Sequence, residues 1–317
     1  MTASPPTIRV ATRGSDLAMA QTHAIVARMR EVAPDREFEI VTIVTHGDRF
    51  QHKPIAEMGE TLERGIFNTA LEEAVLSGEA SLATCSFKDV ESDLPEGLVA
   101  ESVLEREDTR DVLVTRHGCG LAELPQGAVL ATSSPRRTSQ LRAYRPDLQF
   151  EPLRGNVPTR VLRDVARFDG VIVAAAGVRR LGLEHTISEY LPPEVLLSAP
   201  AQGAMGCEYL AANTEMADLV RAIQHAETQL SASSEKALLV ALSGGCFAPI
   251  GVHAQVRDGQ LHMACRIVSA DGARKVELAD SAPTHDAAML IARIREAAMA
   301  EGAGEIIAET RSMLEGK

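Results

Sequence analysis

Arginines placed where strands give way to helices are the residues of this sequence best suited to chemistry. The hexapeptide Thr132-Ser133-Ser134-Pro135-Arg136-Arg137 follows the apolar run 128–131. A hydroxyl residue there can cap a helix, proline suits the first helical position, and two arginines fall in the first turn. Free backbone N–H groups and the positive end of the helix dipole attract an anion to such a turn, and guanidinium forks add two-point recognition of carboxylate or phosphate. Cations at a helix start oppose the dipole by a few tenths to about 1 kcal/mol each, so the pair calls for an anion that offsets the repulsion. Alone, the hexapeptide reads equally well as a solvated first turn. Repetition favours a site: Arg13 follows 8–12, Arg154 lies in Leu153-Arg154-Gly155-Asn156, and Arg180 follows 171–177. Lys88-Asp89 ends a further apolar run, 80–87, and by itself reads as a surface ion pair.

Those arginines stand out against the composition. The 317 residues carry a net charge of −12, with 44 acidic against 32 basic side chains, which argues against nucleic acid or an anionic membrane surface as the general partner. Three Tyr, seven Phe and no Trp leave little for base stacking. A polyanionic small ligand remains compatible, because the local field of a cleft outweighs net charge. Charges interrupt every long apolar run, so no transmembrane helix is expected, and residues 1–6 lack the pattern of a signal peptide; a cytoplasmic protein is the expectation. The five cysteines, Cys85, Cys119, Cys207, Cys246 and Cys265, have neither metal-ligand spacing nor an even count, so free thiols and no metal site are expected.

The elements that must hold these residues alternate. Apolar strands are expected at 8–12, 38–45 and 80–87, with a helix whose inner face is Ala18, Thr22, Ile25, Met29 and Val32, and another over 66–76 with Phe67, Leu71, Ala74 and Val75 inward. A second alternation has strands at 111–115, 128–131, 148–153 and 170–176, with helices over 135–144 and 158–168. Helices between apolar strands predict two α/β units, each with a mostly parallel sheet and its ligand site at the strand ends. Helix predominates over 215–241. Strands at 251–257, 260–268 and 274–279, joined by Asp258-Gly259 and by 270–273, predict a three-stranded antiparallel meander, followed by a helix over 286–299.

Together the motifs resemble a known family. The segment 11–21, Thr45-His46-Gly47-Asp48, Ser86-Phe87-Lys88-Asp89-Val90, Glu105-Arg106-Glu107-Asp108, 132–137, 153–156, 177–182, Ala201-Gln202-Gly203-Ala204 and Gly244-Gly245-Cys246 occur in the order found in hydroxymethylbilane synthase, also called porphobilinogen deaminase. The resemblance covers essentially the whole chain. It implies two doubly wound domains like periplasmic binding proteins with the active-site cleft between them, plus a small α+β C-terminal domain. The corresponding boundaries are 1–104 with 204–222, then 105–203, then 223–317. It implies a monomeric cytoplasmic transferase of tetrapyrrole (heme) biosynthesis, which condenses four porphobilinogen molecules onto a dipyrromethane cofactor with loss of ammonia and releases hydroxymethylbilane by hydrolysis.

By the same resemblance Cys246 holds the cofactor through a thioether. From local sequence alone a buried structural cysteine is the plainer reading, although flanking glycines can project the side chain and a soft thiol suits an electrophilic methylene-pyrrole. The resemblance assigns the cofactor side chains to Lys88, Thr132, Ser134, Arg136, Arg137 and Arg160, and the incoming ring to Arg13, Ser15, Phe67, Arg154, Arg180 and Gln202. Asp89 is the catalytic residue it implies: a carboxylate near pyrrole N–H groups stabilises the cations formed as ammonia leaves and handles protons. The chain departs from the family at a longer, more acidic lid, 55–67, with Glu57, Glu60 and Glu63, and at Cys85, where histidine is frequent. Two other readings stay open: a cofactor-binding paralogue of low activity, and a non-catalytic two-lobed protein that binds a small anion.

Overall fold

A computed structural model describes residues 7–44, 68–91, 93–243 and 248–315, the side chains of Ser243, Leu314 and Glu315 excepted. The lid 55–67, Phe67 and Cys246 lie outside the described residues. The chain divides into two compact units, Met1–Arg106 with Ala204–Gln229, and Glu107–Gly203 with Leu230–Lys317.

In the first unit β1 (Ile8–Arg13), β2 (Phe38–Ile43), β3 (Leu82–Ser86), β4 (Leu98–Val103) and β10 (Met205–Leu210) form one sheet in the order β2-β1-β3-β10-β4. β1 runs parallel to β2 and β3, so Arg13 and Lys88-Asp89 leave the same edge of the sheet. β10 returns antiparallel between β3 and β4, while the other four strands share one direction, so the sheet is mostly parallel as expected. The helix α1 (Asp16–Val32) buries Thr22, Ile25 and Met29 as its spacing predicts, together with Gln21 and Val26, whereas Val32 at its end turns to solvent. Ile25 and Met29 pack on Ile8, Val10 and Leu82, and burial of each such side chain is worth roughly 1.5–3 kcal/mol. The helix α2 (Thr69–Leu76) turns Leu71, Ala74 and Val75 onto Ala11 and Ala83.

The second unit holds two sheets. Strands β5 (Asp111–Thr115), β6 (Val129–Ala131), β7 (Gln149–Glu151), β8 (Gly170–Ala174) and β9 (Glu189–Tyr190) lie in the order β7-β6-β8-β5-β9. β6 is parallel to both β7 and β8, whereas β5 is antiparallel to β8 and β9. The helix α3 (Pro135–Tyr144) has the bounds its spacing predicts. The expected helix over 158–168 does not form as an α-helix: Thr159–Arg163 winds as a π turn and Asp164–Arg167 as a 3-10 turn. The expected strand end at 176 also differs, because α4 (Ala175–Arg180) starts directly after β8.

Two helices, α5 (Thr214–Ala222) in the first unit and α6 (Ala226–Ser243), occupy the helical region. The second sheet of the second unit is the meander β11 (Ile250–Arg257), β12 (Gln260–Val268) and β13 (Lys275–Pro283), antiparallel throughout. Its hairpin places Asp258 and Gly259 at φ 49° and 74°, the doubly left-handed turn that Asp-Gly favours. The helices α7 (Ala287–Ala300) and α8 (Ala303–Glu315) cover one face, burying Leu290, Ile294, Ile306 and Ile307 against Val252, Leu261 and Ile267. Gln140 on α3 joins this sheet, accepting from Arg266 on β12 at 3.1 Å, and so ties the arginine-bearing helix to the meander. Among the described residues no helix is long and apolar enough to cross a membrane.

Candidate active site

In the first unit the loops leaving β1 and β3 carry the expected residues. Ser15 caps α1, accepting from Ala18 N–H at 3.3 Å, and Arg13 is half-buried beside it. Phe87–Asp89 forms a single 3-10 turn. Its Phe87 is buried as an anchor, Lys88 is half-buried, and Asp89 is exposed. Buried Asn68 donates to the Asp89 carbonyl oxygen at 3.0 Å and to Glu208 Oε1 at 3.3 Å, so the turn is pinned from behind by its backbone while its carboxylate stays accessible. Cys85 also donates to Glu208, at 3.4 Å.

In the second unit β6, β7 and β8 end at one sheet edge, and the arginines issue from there. Ser134 caps α3, accepting from Arg137 N–H at 3.4 Å, with Pro135 at the first helical position. Thr132 is buried and accepts from Ser134 N–H at 3.3 Å. Ser133 accepts from Leu153 N–H at 3.0 Å and donates to Leu153 O at 2.9 Å, which fixes the chain next to half-buried Arg154. Arg160, on the π turn, donates from Nε to Gly155 O at 2.7 Å.

Arg136 and Arg137 do not lie on the surface of the first turn; they are 4% and 8% exposed. Both meet one fully buried carboxylate, Asp111, at 2.8 and 2.6 Å. Burial lowers the Arg136 guanidinium from its ordinary range, and the neighbouring Asp111 opposes that while Arg137 adds to it. Two guanidinium charges against one carboxylate leave the cluster at a net +1. Gln202 is also fully buried and donates to Asp111 Oδ1 at 3.1 Å and Thr109 O at 2.8 Å. Next in the chain, Gly203 O accepts from Arg180 Nη2 at 2.6 Å and from Glu107 N–H at 3.2 Å. Burial pushes Arg180 down to about 10, with Glu107 opposing, which leaves it charged at neutral pH. Gly203 has φ 89°, and a Cβ there would stand 2.4 Å from Glu107 O, so glycine is required.

The structure thus gathers Arg136, Arg137, Gln202 and, through Gly203, Arg180 into one cluster, with Ser134, Arg154 and Arg160 on the adjoining loops. Sequence reading missed Asp111, Asn68, Glu208 and Glu235. Glu235, on α6 and fully buried, accepts from Ala201 N–H at 2.5 Å and Ala254 N–H at 2.6 Å. It holds Ala201 at φ 58°, a left-handed conformation that L residues avoid by roughly 1–2 kcal/mol. Ala201→Gly is therefore expected to stabilise the protein by up to about 1 kcal/mol, after the entropy that glycine brings to the unfolded chain. Thermal unfolding checks this, and a lowered Tm would contradict it.

Cys85, Cys207 and Cys265 are poor nucleophiles. Burial, reinforced by Glu208, raises the Cys85 thiol well above its ordinary value; burial does the same for Cys207 and pushes Cys265 up to about 12. A thiol acts through its thiolate, so these three are ill suited to carry a covalent group. The donor set around Asp111 suits a cofactor rich in carboxylates, because a further anion would neutralise the surplus charge.

In the second unit, strand ends that gather guanidinium groups around one buried carboxylate form an arrangement suited to an anion. The porphobilinogen deaminase dipyromethane cofactor binding domain matches residues 8–218, and the porphobilinogen deaminase C-terminal domain matches 229–300. The chain belongs to the porphobilinogen deaminase family. It is 38% identical over 305 residues to the porphobilinogen deaminase of Syntrophomonas wolfei, covering 96% of this chain and 99% of that one. It is 40% identical over 304 residues to that of Brevibacillus brevis, covering 95% and 96%. Among solved structures, a periplasmic substrate-binding protein of an ABC transporter from Coxiella burnetii is similar over 73% of this chain and 97% of that one, at 15% identity and a TM-score of 0.42.

Proposed function

We propose that this protein is a hydroxymethylbilane synthase, a transferase that joins four porphobilinogen molecules head to tail with loss of ammonia at each addition and then releases the linear tetrapyrrole by hydrolysis. Held on Cys246, the dipyrromethane supplies the free pyrrole position at which the chain grows. The observation that carries the reading is the concentration of Arg136, Arg137, Arg154, Arg160 and Arg180 at the strand ends of a protein whose net charge is −12. Each ring brings an acetate and a propionate, and planar forks bind carboxylates at two points. In this reading Arg136, Arg137, Arg160, Thr132, Ser134 and Lys88 hold the cofactor side chains, and Arg13, Ser15, Phe67, Arg154, Arg180 and Gln202 receive the incoming ring. Asp89 moves the pyrrole protons. Residues 223–317 act as a third domain that carries Cys246. The enzyme works as a monomer, and in the cytoplasm, the latter in keeping with the free thiols of Cys85, Cys119, Cys207 and Cys265.

Purified protein supplied with porphobilinogen is expected to release ammonia in step with monomer consumption, and to slow as salt screens the attraction of anionic monomer to the arginines. Arg154→Lys keeps the charge but loses the two-point geometry, at about 1.5 kcal/mol or more, which is roughly 10-fold in kcat/KM. Monomer left intact by the wild-type protein would overturn the function. Wild-type kinetics in Arg154→Lys would overturn the role of the fork.

A further inference from the structure

We propose that Asp111 is the positioning residue of this site, a single buried carboxylate that sets Arg136, Arg137 and Gln202 in one fixed arrangement; this rests on the synthase reading above. Asp111 opens β5 and is fully buried. Its Oδ1 accepts from Arg137 Nε at 3.0 Å and Nη2 at 2.6 Å and from Gln202 Nε2 at 3.1 Å, while Oδ2 stands 2.8 Å from Arg136 Nη2. Backbone carbonyls fix the far side of each fork: Leu197 O accepts from Arg136 Nη1 at 2.6 Å and Ile172 O from Arg137 Nη1 at 3.0 Å. Each planar group is thereby held at both ends before a ligand arrives.

A carboxylate serving stability alone is best matched by one cation. Here it is shared by two guanidinium groups in the first turn of a helix, where both oppose the dipole and burial penalises the surplus charge. Such an arrangement is intelligible if its task is alignment. Asp111 brings two like charges to adjacent places that they would otherwise leave, and the ligand's carboxylates complete the neutralisation. Because Gln202 shares the same oxygen as Arg137, residues assigned to the cofactor and to the incoming ring are set by one group.

The test uses full-length protein freed of cofactor. The rate at which the dipyrrole attaches on incubation with porphobilinogen is read by intact mass, and kcat and KM are then measured on the loaded enzyme. Asp111→Asn is expected to slow attachment and kcat roughly 10- to 100-fold, the scale of a 1 Å misplacement. In an Arg137→Met background the same substitution should cost clearly less than it does in the wild type, because one of the groups it positions is gone while Arg136 and Gln202 remain. Losses that multiply fully in the double variant, or native rates in Asp111→Asn, would overturn the proposal. If Asp111→Asn does not fold, Asp111→Glu decides: it keeps the charge but displaces the carboxylate, and native attachment and kcat in it would equally overturn the proposal. A wild-type protein inert toward porphobilinogen would overturn the synthase reading and this inference with it, whereas an active wild type beside an equally active Asp111→Asn overturns this inference alone.

Discussion

Asp89→Asn is expected to lower kcat by roughly 10²- to 10⁴-fold, the usual effect of losing a positioned general acid or base. The side chain keeps its shape and loses its charge, so it can neither stabilise positive charge on the incoming ring nor accept the pyrrole proton. Stability should change by no more than about 0.5 kcal/mol, because Asp89 is exposed and the turn that carries it is held by buried Phe87 and by Asn68 at the backbone. The contrast separates the two readings that the sequence allowed. A surface ion pair of Lys88 and Asp89 would give near-native kcat, and steady-state kinetics beside thermal unfolding distinguishes them.

Cys246→Ser is expected to eliminate turnover entirely. Serine is close in size but its hydroxyl is a far weaker nucleophile than a thiol at neutral pH, so no thioether can form. The other described cysteines cannot replace it readily: Cys85, Cys207 and Cys265 are buried with raised thiols, and the half-buried Cys119 donates to Thr115 Oγ1 at 3.6 Å. Peptide mapping after incubation with porphobilinogen should find the adduct on Cys246 in the wild type and on no cysteine in the variant. Residual activity above a few per cent, or an adduct on another cysteine, would show that the attachment point is elsewhere.

Local chemistry made part of this architecture legible. Ser134-Pro135 announces a helix start, and Ser134 does cap it. Asp258-Gly259 between alternating runs announces a hairpin, and the φ values supply the reason. β10 was not legible, because Met205-Gly206-Cys207-Glu208-Tyr209-Leu210 has no clean alternation and a charged residue at its centre. Glu208 is buried there through Asn68, 140 residues away in sequence. Asp111 escaped for the same reason. A carboxylate at the head of an apolar strand reads as a solvated end, and its partnership with residues distant in sequence, among them Arg136, Arg137 and Gln202, lets it be buried. The stretch 158–168 has helical spacing, yet over- and underwound turns replace the α-helix, a pattern that recurs at functional sites and here carries Arg160.

The arginine cluster was visible as an anion trap, but its inner half was not. The sequence pointed to a ligand as the anion that offsets the first-turn cations; the structure supplies Asp111 first and leaves one charge over. A cluster already aligned by its own carboxylate needs less ordering when a carboxylate-bearing ligand binds, which is how pre-organisation raises affinity.

The most direct measurement is the intact mass of the wild-type chain under denaturing conditions, as purified and after incubation with porphobilinogen. A covalent dipyrrole that survives denaturation is expected, with discrete heavier species differing by whole rings while substrate is present. The mass of the bare chain alone, before and after incubation, would contradict it.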